Sequence, residues 1–149
     1  MSERLAPNAK SDLGARLEVL GRAVGEREVA HLDGLARARE CAESLRAEVA
    51  AALERFHAAA AAGAPHLRVE ISAIRIDDKH LRSFEFDLSR GRYRAIVTVK
   101  SRGDVTLVGP FRAGKTEGPC RTFPIEAQSE VNEALAGFLE SFLEEAATP

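Results

Sequence analysis

The chain has no tryptophan, one tyrosine and one methionine among its 149 residues, and aromatic side chains make up only 5% of it. A surface of stacked rings for gripping single-stranded nucleic acid therefore has little to be built from, and the strand pattern leaves only Phe111 and Phe123 off the core face. Cysteine is scarce as well. Cys41 falls in a helical pattern and Cys120 in a loop, too few and too differently placed for a disulfide framework, so a reducing, cytoplasmic setting is expected. Met1–Lys10 interleaves Glu3, Arg4, Pro7 and Asn8 with Leu5 and Ala6, so no signal-peptide core is expected there. Charge interrupts every apolar stretch before it could cross a membrane, and no membrane partner is expected.

Excess charge of either sign is also missing. With 21 basic and 23 acidic residues the net charge is -2 and the pI about 6.1, which excludes coating nucleic acid through bulk charge. His31, His57, His66 and His80 form no i, i+4 pair and stand at no zinc-finger spacing from cysteine, so neither a metal site nor a cofactor is expected. The adjacent carboxylates Asp77 and Asp78 fit a solvated turn. No nucleophile, base and oxyanion hole assemble in the pattern, and the chain reads as a non-enzymatic protein.

What is present is 45% hydrophobic residues in two clear periods. A helical pattern starts near Asp12, a candidate N-cap, and ends at Gly63, Ala64 and Pro65. Apolar residues recur at Leu13, Leu17, Leu20 and Val24, slip in phase near Glu28, and resume at Leu32, Leu35, Ala38, Ala42, Leu45, Val49, Leu53 and Phe56. Gly25 and Gly34 are the weak points of a continuous or kinked helix over residues 12–62, preceded by a flexible lead over residues 1–11.

From His66 the period becomes two. Leu67, Val69 and Ile71 alternate with Arg68, Glu70 and Ser72, and the phase change at Ile74 predicts a bulge near Ala73. After a turn at Asp77, Asp78 and Lys79, Phe84, Phe86 and Leu88 mark one strand, and Tyr93, Ala95, Val97 and Val99 the next. Taking Arg90–Gly91 as the connection pairs Leu88 with Tyr93, Phe86 with Ala95, and Asp87 with Arg94 on the other face. A loop over Ser101–Gly103, with Gly103 left-handed, sets Val99 against Val105 and Val97 against Leu107. Arg121–Ile125 offers an edge segment. Val131, Leu135, Phe138, Leu139, Phe142 and Leu143 lie on one stripe of a terminal helix over residues 126–146. The expected fold is α+β in a single domain over residues 12–149: a long helix, a four- to five-stranded antiparallel meander over residues 66–125, and an amphipathic helix packed on one sheet face.

The dimensions of this fold suggest a role. A helix over residues 12–62 would be roughly 75 Å long at about 1.5 Å per residue, whereas an eight-residue strand spans only about 27 Å. Its first half, with Leu13, Leu17, Leu20, Val24, Leu32 and Leu35, therefore predicts an oligomer interface, most simply in a homodimer. Charge is unevenly spread: residues 65–125 carry 12 basic and 7 acidic side chains, residues 126–149 none and 6. Arg68, Arg92, Arg94 and Lys100 on the open sheet face, with Arg112, Lys115 and Arg121 on a loop, form a candidate anion-binding surface, with nucleic acid the weaker of its possible partners.

Gly109–Thr116 matches the phosphate-binding pattern GxxxxGK[ST], and a strand over Asp104–Val108 leads into it. That chemistry needs a helix beginning at the lysine, and Gly118–Pro119 oppose one, so the 109–120 segment reads as a wide glycine-rich turn. The leading functional expectation is a self-associating adaptor or scaffold that binds another protein; the alternative is an anion or nucleic-acid binder using Arg92, Arg94, Arg112, Lys115 and Arg121.

Overall fold

A computed structural model describes residues 2–77, 82–114 and 118–147, with side chains from Asp12 onward. In chain order the elements are α1 (Ser2–Ala60), β1 (Glu70–Ile71), β2 (Arg75–Ile76), β3 (Ser83–Arg90), β4 (Tyr93–Lys100), β5 (Asp104–Arg112), β6 (Cys120–Pro124) and α2 (Gln128–Ala146). This is the α+β arrangement expected from the two periods. Two compact units divide the chain after Asp33: the first is helical, and the second, from Gly34, contains the later turns of α1, the sheet and α2. No helix among the described residues is long and apolar enough to cross a membrane.

The helix starts at Ser2 rather than at Asp12. Glu3, Arg4, Leu5, Ala6, Ala9 and Lys10 are good helix formers, and Pro7, in the second turn, removes one intrahelical hydrogen bond without ending the helix. Asp12 is thus internal and faces Arg16 one turn on at 3.7 Å instead of capping the helix. At the other end the Gly63 and Ala64 N–H groups both donate to the Ala60 carbonyl, closing the helix where glycine and proline follow.

The sheet is wholly antiparallel, in the order β1-β3-β4-β5-β6, with β2 also on β3. β1 and β2 are two pieces of one interrupted edge strand. Glu70 pairs with Ser89 and Ile71 with Leu88, but Arg75 with Glu85 and Ile76 with Phe84, so one extra residue is accommodated over residues 72–74. This is the bulge expected near Ala73. Ser72 holds it, donating its N–H to the Asp87 carbonyl at 2.9 Å and accepting the Asp87 N–H on its hydroxyl at 2.9 Å. The strand begins later than His66, because the Val69 N–H is spent on His57 Nε2 of α1 at 3.0 Å. Asp77 donates its N–H to Ser83, while Asp78 and Lys79 of the expected turn, and His80, lie outside the described residues.

The β4–β5 register is as expected, with Val97 opposite Leu107 and Val99 opposite Val105 around Gly103 at φ 99°. The β3–β4 register differs. Arg90 pairs with Tyr93, Leu88 with Ala95, Phe86 with Val97 and Phe84 with Val99, so Gly91 (φ 59°) and Arg92 form the turn instead of Arg90 and Gly91. Asp87 accordingly faces Ile96, not Arg94. A slip of two residues leaves every side chain on its original face, which is why the alternation could not expose it.

One sheet face is buried. Phe84, Phe86, Leu88, Ala95, Val97, Val99, Val105 and Leu107 pack against Ala38, Ala42, Leu45, Val49 and Leu53 of α1 and against Val131, Leu135, Phe138 and Phe142 of α2. Leu35 is half-buried against this core. Gly34 lets α1 approach the β4–β5 turn: a Cβ there would stand 2.3 Å from the Ser101 carbonyl oxygen. Its role is close packing, not helix weakness. On the other face Arg75 reaches Glu85 at 2.9 Å and Asp87 at 3.0 Å. Burial alone would raise the Asp87 pKa, but hydrogen bonding from Ser72 and Arg75 outweighs it and holds the carboxyl below its ordinary range.

Candidate functional site

The β3–β4 register brings Arg90 and Tyr93 side by side, and a second irregularity adds Arg112. Between Arg94↔Phe111 and Ile96↔Val108 the β4–β5 ladder takes up one extra residue on β5, around Gly109 and Pro110, which are joined by a cis peptide bond. Without that insertion Phe111 would face Tyr93. With it, Tyr93 faces Arg112, and Arg90, Tyr93 and Arg112 form one row across three strands.

This row continues the face of Phe84, Phe86 and Leu88 to the end of α2. Arg90 Nη1 donates to the Ala146 carbonyl in the last turn of α2, where the unsatisfied carbonyls and the negative end of the helix dipole favour a cation. The Arg112 guanidinium carbon lies 5.7 Å from the centre of the Tyr93 ring, a cation–π contact. Together with Gly91, Arg92 and Ala146 these residues line an open cavity of about 550 Å³. Among the described residues its lining holds three guanidiniums and no carboxylate. Among the described residues, too, the ion pairs within the sheet use other arginines: Arg75 with Glu85 and Asp87, and Arg102 with Asp104.

The structure therefore brings together Arg92 and Arg112 of the expected anion set and adds Arg90 and Tyr93. Arg94 lies on the opposite face, where its Nη1 donates to the Gly91 carbonyl at 3.0 Å and the Tyr93 carbonyl at 3.2 Å, bracing the turn. Arg121 is on edge strand β6, 5.0 Å above the buried Phe123 ring, and lines a separate cavity of about 320 Å³ beside Glu130 and Glu133 of α2. Phe123 is a core residue, not a stacking platform, and Phe111 pairs with Arg94 across the ladder. Arg68 faces Glu54 of α1 at 3.7 Å, so it does not stand on the open sheet face. Lys115 lies outside the described residues.

The glycine-rich motif over residues 109–116 is not a phosphate-binding loop running into a helix. Its first four residues, Gly109–Arg112, are strand, extending β5 past the expected end at Val108; the ladder to β4 continues beyond the bulge. Gly118 and Pro119 are not helical and lead directly into β6, with the Pro119 carbonyl accepting the Gly109 N–H at 2.8 Å. Both cysteines are free; burial, with Glu48 nearby, pushes the Cys41 thiol pKa up, while Cys120 is exposed on β6.

The expected oligomer face is apolar and largely exposed within the first unit. Leu13 is 61% exposed, Leu17 57%, Leu20 53%, Val24 51% and Leu32 54%, and Val19 and Val29 are exposed as well. Leu13, Leu17, Leu20 and Val24 are spaced four, three and four residues apart, which places them on one side of the helix. Leu35, grouped with them by periodicity, is part of the core packing of the second unit. Val19 and Val29 fell outside the stripe that the periodicity selects.

No family model, curated protein or solved structure matches this chain.

Proposed function

We propose that this chain is a self-associating adaptor, in which the helix of the first unit pairs with a second copy while the α+β unit is presented to another protein. The observation that carries this reading is the stripe of Leu13, Leu17, Leu20 and Val24, four large apolar side chains left exposed on one side of the helix. Complete burial of such a side chain is worth about 1.5–3 kcal/mol, so covering the exposed half of each contributes about 1 kcal/mol per residue, doubled by two-fold symmetry. The 4-3-4 spacing of Leu13, Leu17, Leu20 and Val24 matches the seam of a paired helix.

The glycines of this segment support the same reading. Gly14, Gly21 and Gly25 have nothing within 4 Å of a built Cβ, and each costs a helix about 1 kcal/mol relative to alanine. A helical segment carrying three such residues gains little from propensity alone and needs tertiary or quaternary contacts to persist.

Light scattering on the full chain at micromolar concentration tests the proposal. The expected mass is twice the 16.1-kDa chain. Leu17→Glu with Leu20→Glu should return it to the monomer mass without unfolding the sheet, as followed by circular dichroism. A wild-type monomer, or a dimer that survives both charges, refutes it.

A further inference from the structure

We infer that the arginine-lined cavity at the β3–β4 turn is a binding site for a small-molecule phosphate monoester. Its three cationic groups come from different structural origins: Arg90 from the end of β3, Arg92 from the turn and Arg112 from β5 beyond the bulge. Two are held in place by contacts that leave donors free. Arg90 uses Nη1 on the Ala146 carbonyl, and Arg112 lies over Tyr93. A guanidinium carries five N–H donors, so these contacts occupy only part of its capacity. Arg92 is exposed at the rim.

The charge of the cavity selects a dianion over a carboxylate. A single negative charge would leave two of three guanidiniums uncompensated, whereas the terminal oxygens of a phosphate monoester accept from several forks at once and match their planar geometry. At about 550 Å³ the cavity is within the size range of small-molecule sites. A long polyanion is disfavoured by what adjoins the cavity. Ala146, which lines it, is immediately preceded by Glu144 and Glu145, and Glu140 lies about one turn further back along α2. A nucleic acid strand continuing past the cavity along α2 would bring further phosphates against these carboxylates, whereas a compact ester presents a single phosphate, held by three guanidiniums.

Titration of the full chain with glycerol phosphate, followed by calorimetry at pH 7.5, tests the assignment. Saturable one-to-one binding is expected, weakening as salt rises, with acetate at least tenfold weaker. Arg92→Gln with Arg112→Gln should reduce affinity at least tenfold at an unchanged unfolding temperature. Arg102→Gln, at the opposite end of the sheet beside Asp104, should leave it unchanged. Failure to saturate, equal binding of acetate, or indifference to the double substitution overturns the site. Tenfold tighter binding of a phosphoserine peptide or of a single-stranded oligonucleotide overturns the small-molecule assignment.

Discussion

Replacing Gly34 by alanine sets two physical effects against each other at one position. Helix propensity alone favours alanine by about 1 kcal/mol. Packing opposes it, since the added Cβ would stand 2.3 Å from the Ser101 carbonyl oxygen and 3.3 Å from its carbon. That oxygen belongs to a turn pinned on either side: the Ser101 N–H donates to the Arg82 carbonyl at 2.7 Å and the Gly103 N–H to the Lys100 carbonyl at 2.9 Å. Relief therefore requires moving the helix or a hydrogen-bonded turn, at the upper end of the roughly 1–3 kcal/mol typical of overpacking. The net expectation is a destabilisation of about 2 kcal/mol, or a fall in Tm of about 4–8 °C for a chain of this size. Gly137→Ala in α2 supplies the opposite sign, because nothing lies within 4 Å of its Cβ; it should gain up to about 1 kcal/mol. Thermal and urea unfolding by circular dichroism at fixed protein concentration measures both. Should Gly34→Ala prove as stable as the wild type, or more so, the close approach of α1 to the β4–β5 turn is wrong.

Phe142 of α2 is 0% exposed, and truncation to alanine should cost about 3–5 kcal/mol in urea unfolding; a loss under about 1 kcal/mol would mean that α2 does not cover the sheet. Asp87→Asn should cost about 1 kcal/mol at pH 7 by releasing Arg75. Because the folded carboxyl titrates below its unfolded value, its stabilisation is complete above the unfolded pKa of about 3.9 and is lost as pH falls through the folded one. The Tm difference between wild type and Asp87→Asn should therefore narrow as pH is lowered from about 5 to 3, and a difference that stays constant contradicts the Arg75 pairing.

Much of the candidate phosphate site was legible as residue type but not as location. Arg92 and Arg112 were readable as basic residues near a turn and a glycine-rich segment. Arg90 was not, because taking it as a turn residue removed it from the strand. Its alternation with Phe84, Phe86 and Leu88 was the available signal: a charged residue in phase with a core face marks where that face runs out from under its cover. Arg121 looked equivalent to Arg112 in sequence, yet β6 carries it to the edge beside the acidic face of α2.

Periodicity by itself determined the order of helix, meander and helix, the apolar faces of β3, β4 and β5, and, through Gly103 and the length of its loop, the β4–β5 register up to Val108. These are local properties: a period of 3.6 or 2 and a left-handed turn are written in neighbouring residues. Only the tertiary structure decided that β3 slides two residues along β4, that an extra residue near Gly109 exchanges Phe111 for Arg112 beside Tyr93, and that Gly34 admits a turn while Leu35 joins the core. A slip of two preserves every alternation, and close approach depends on atoms distant in the chain, so those outcomes are settled by packing across strands and layers rather than by any local pattern.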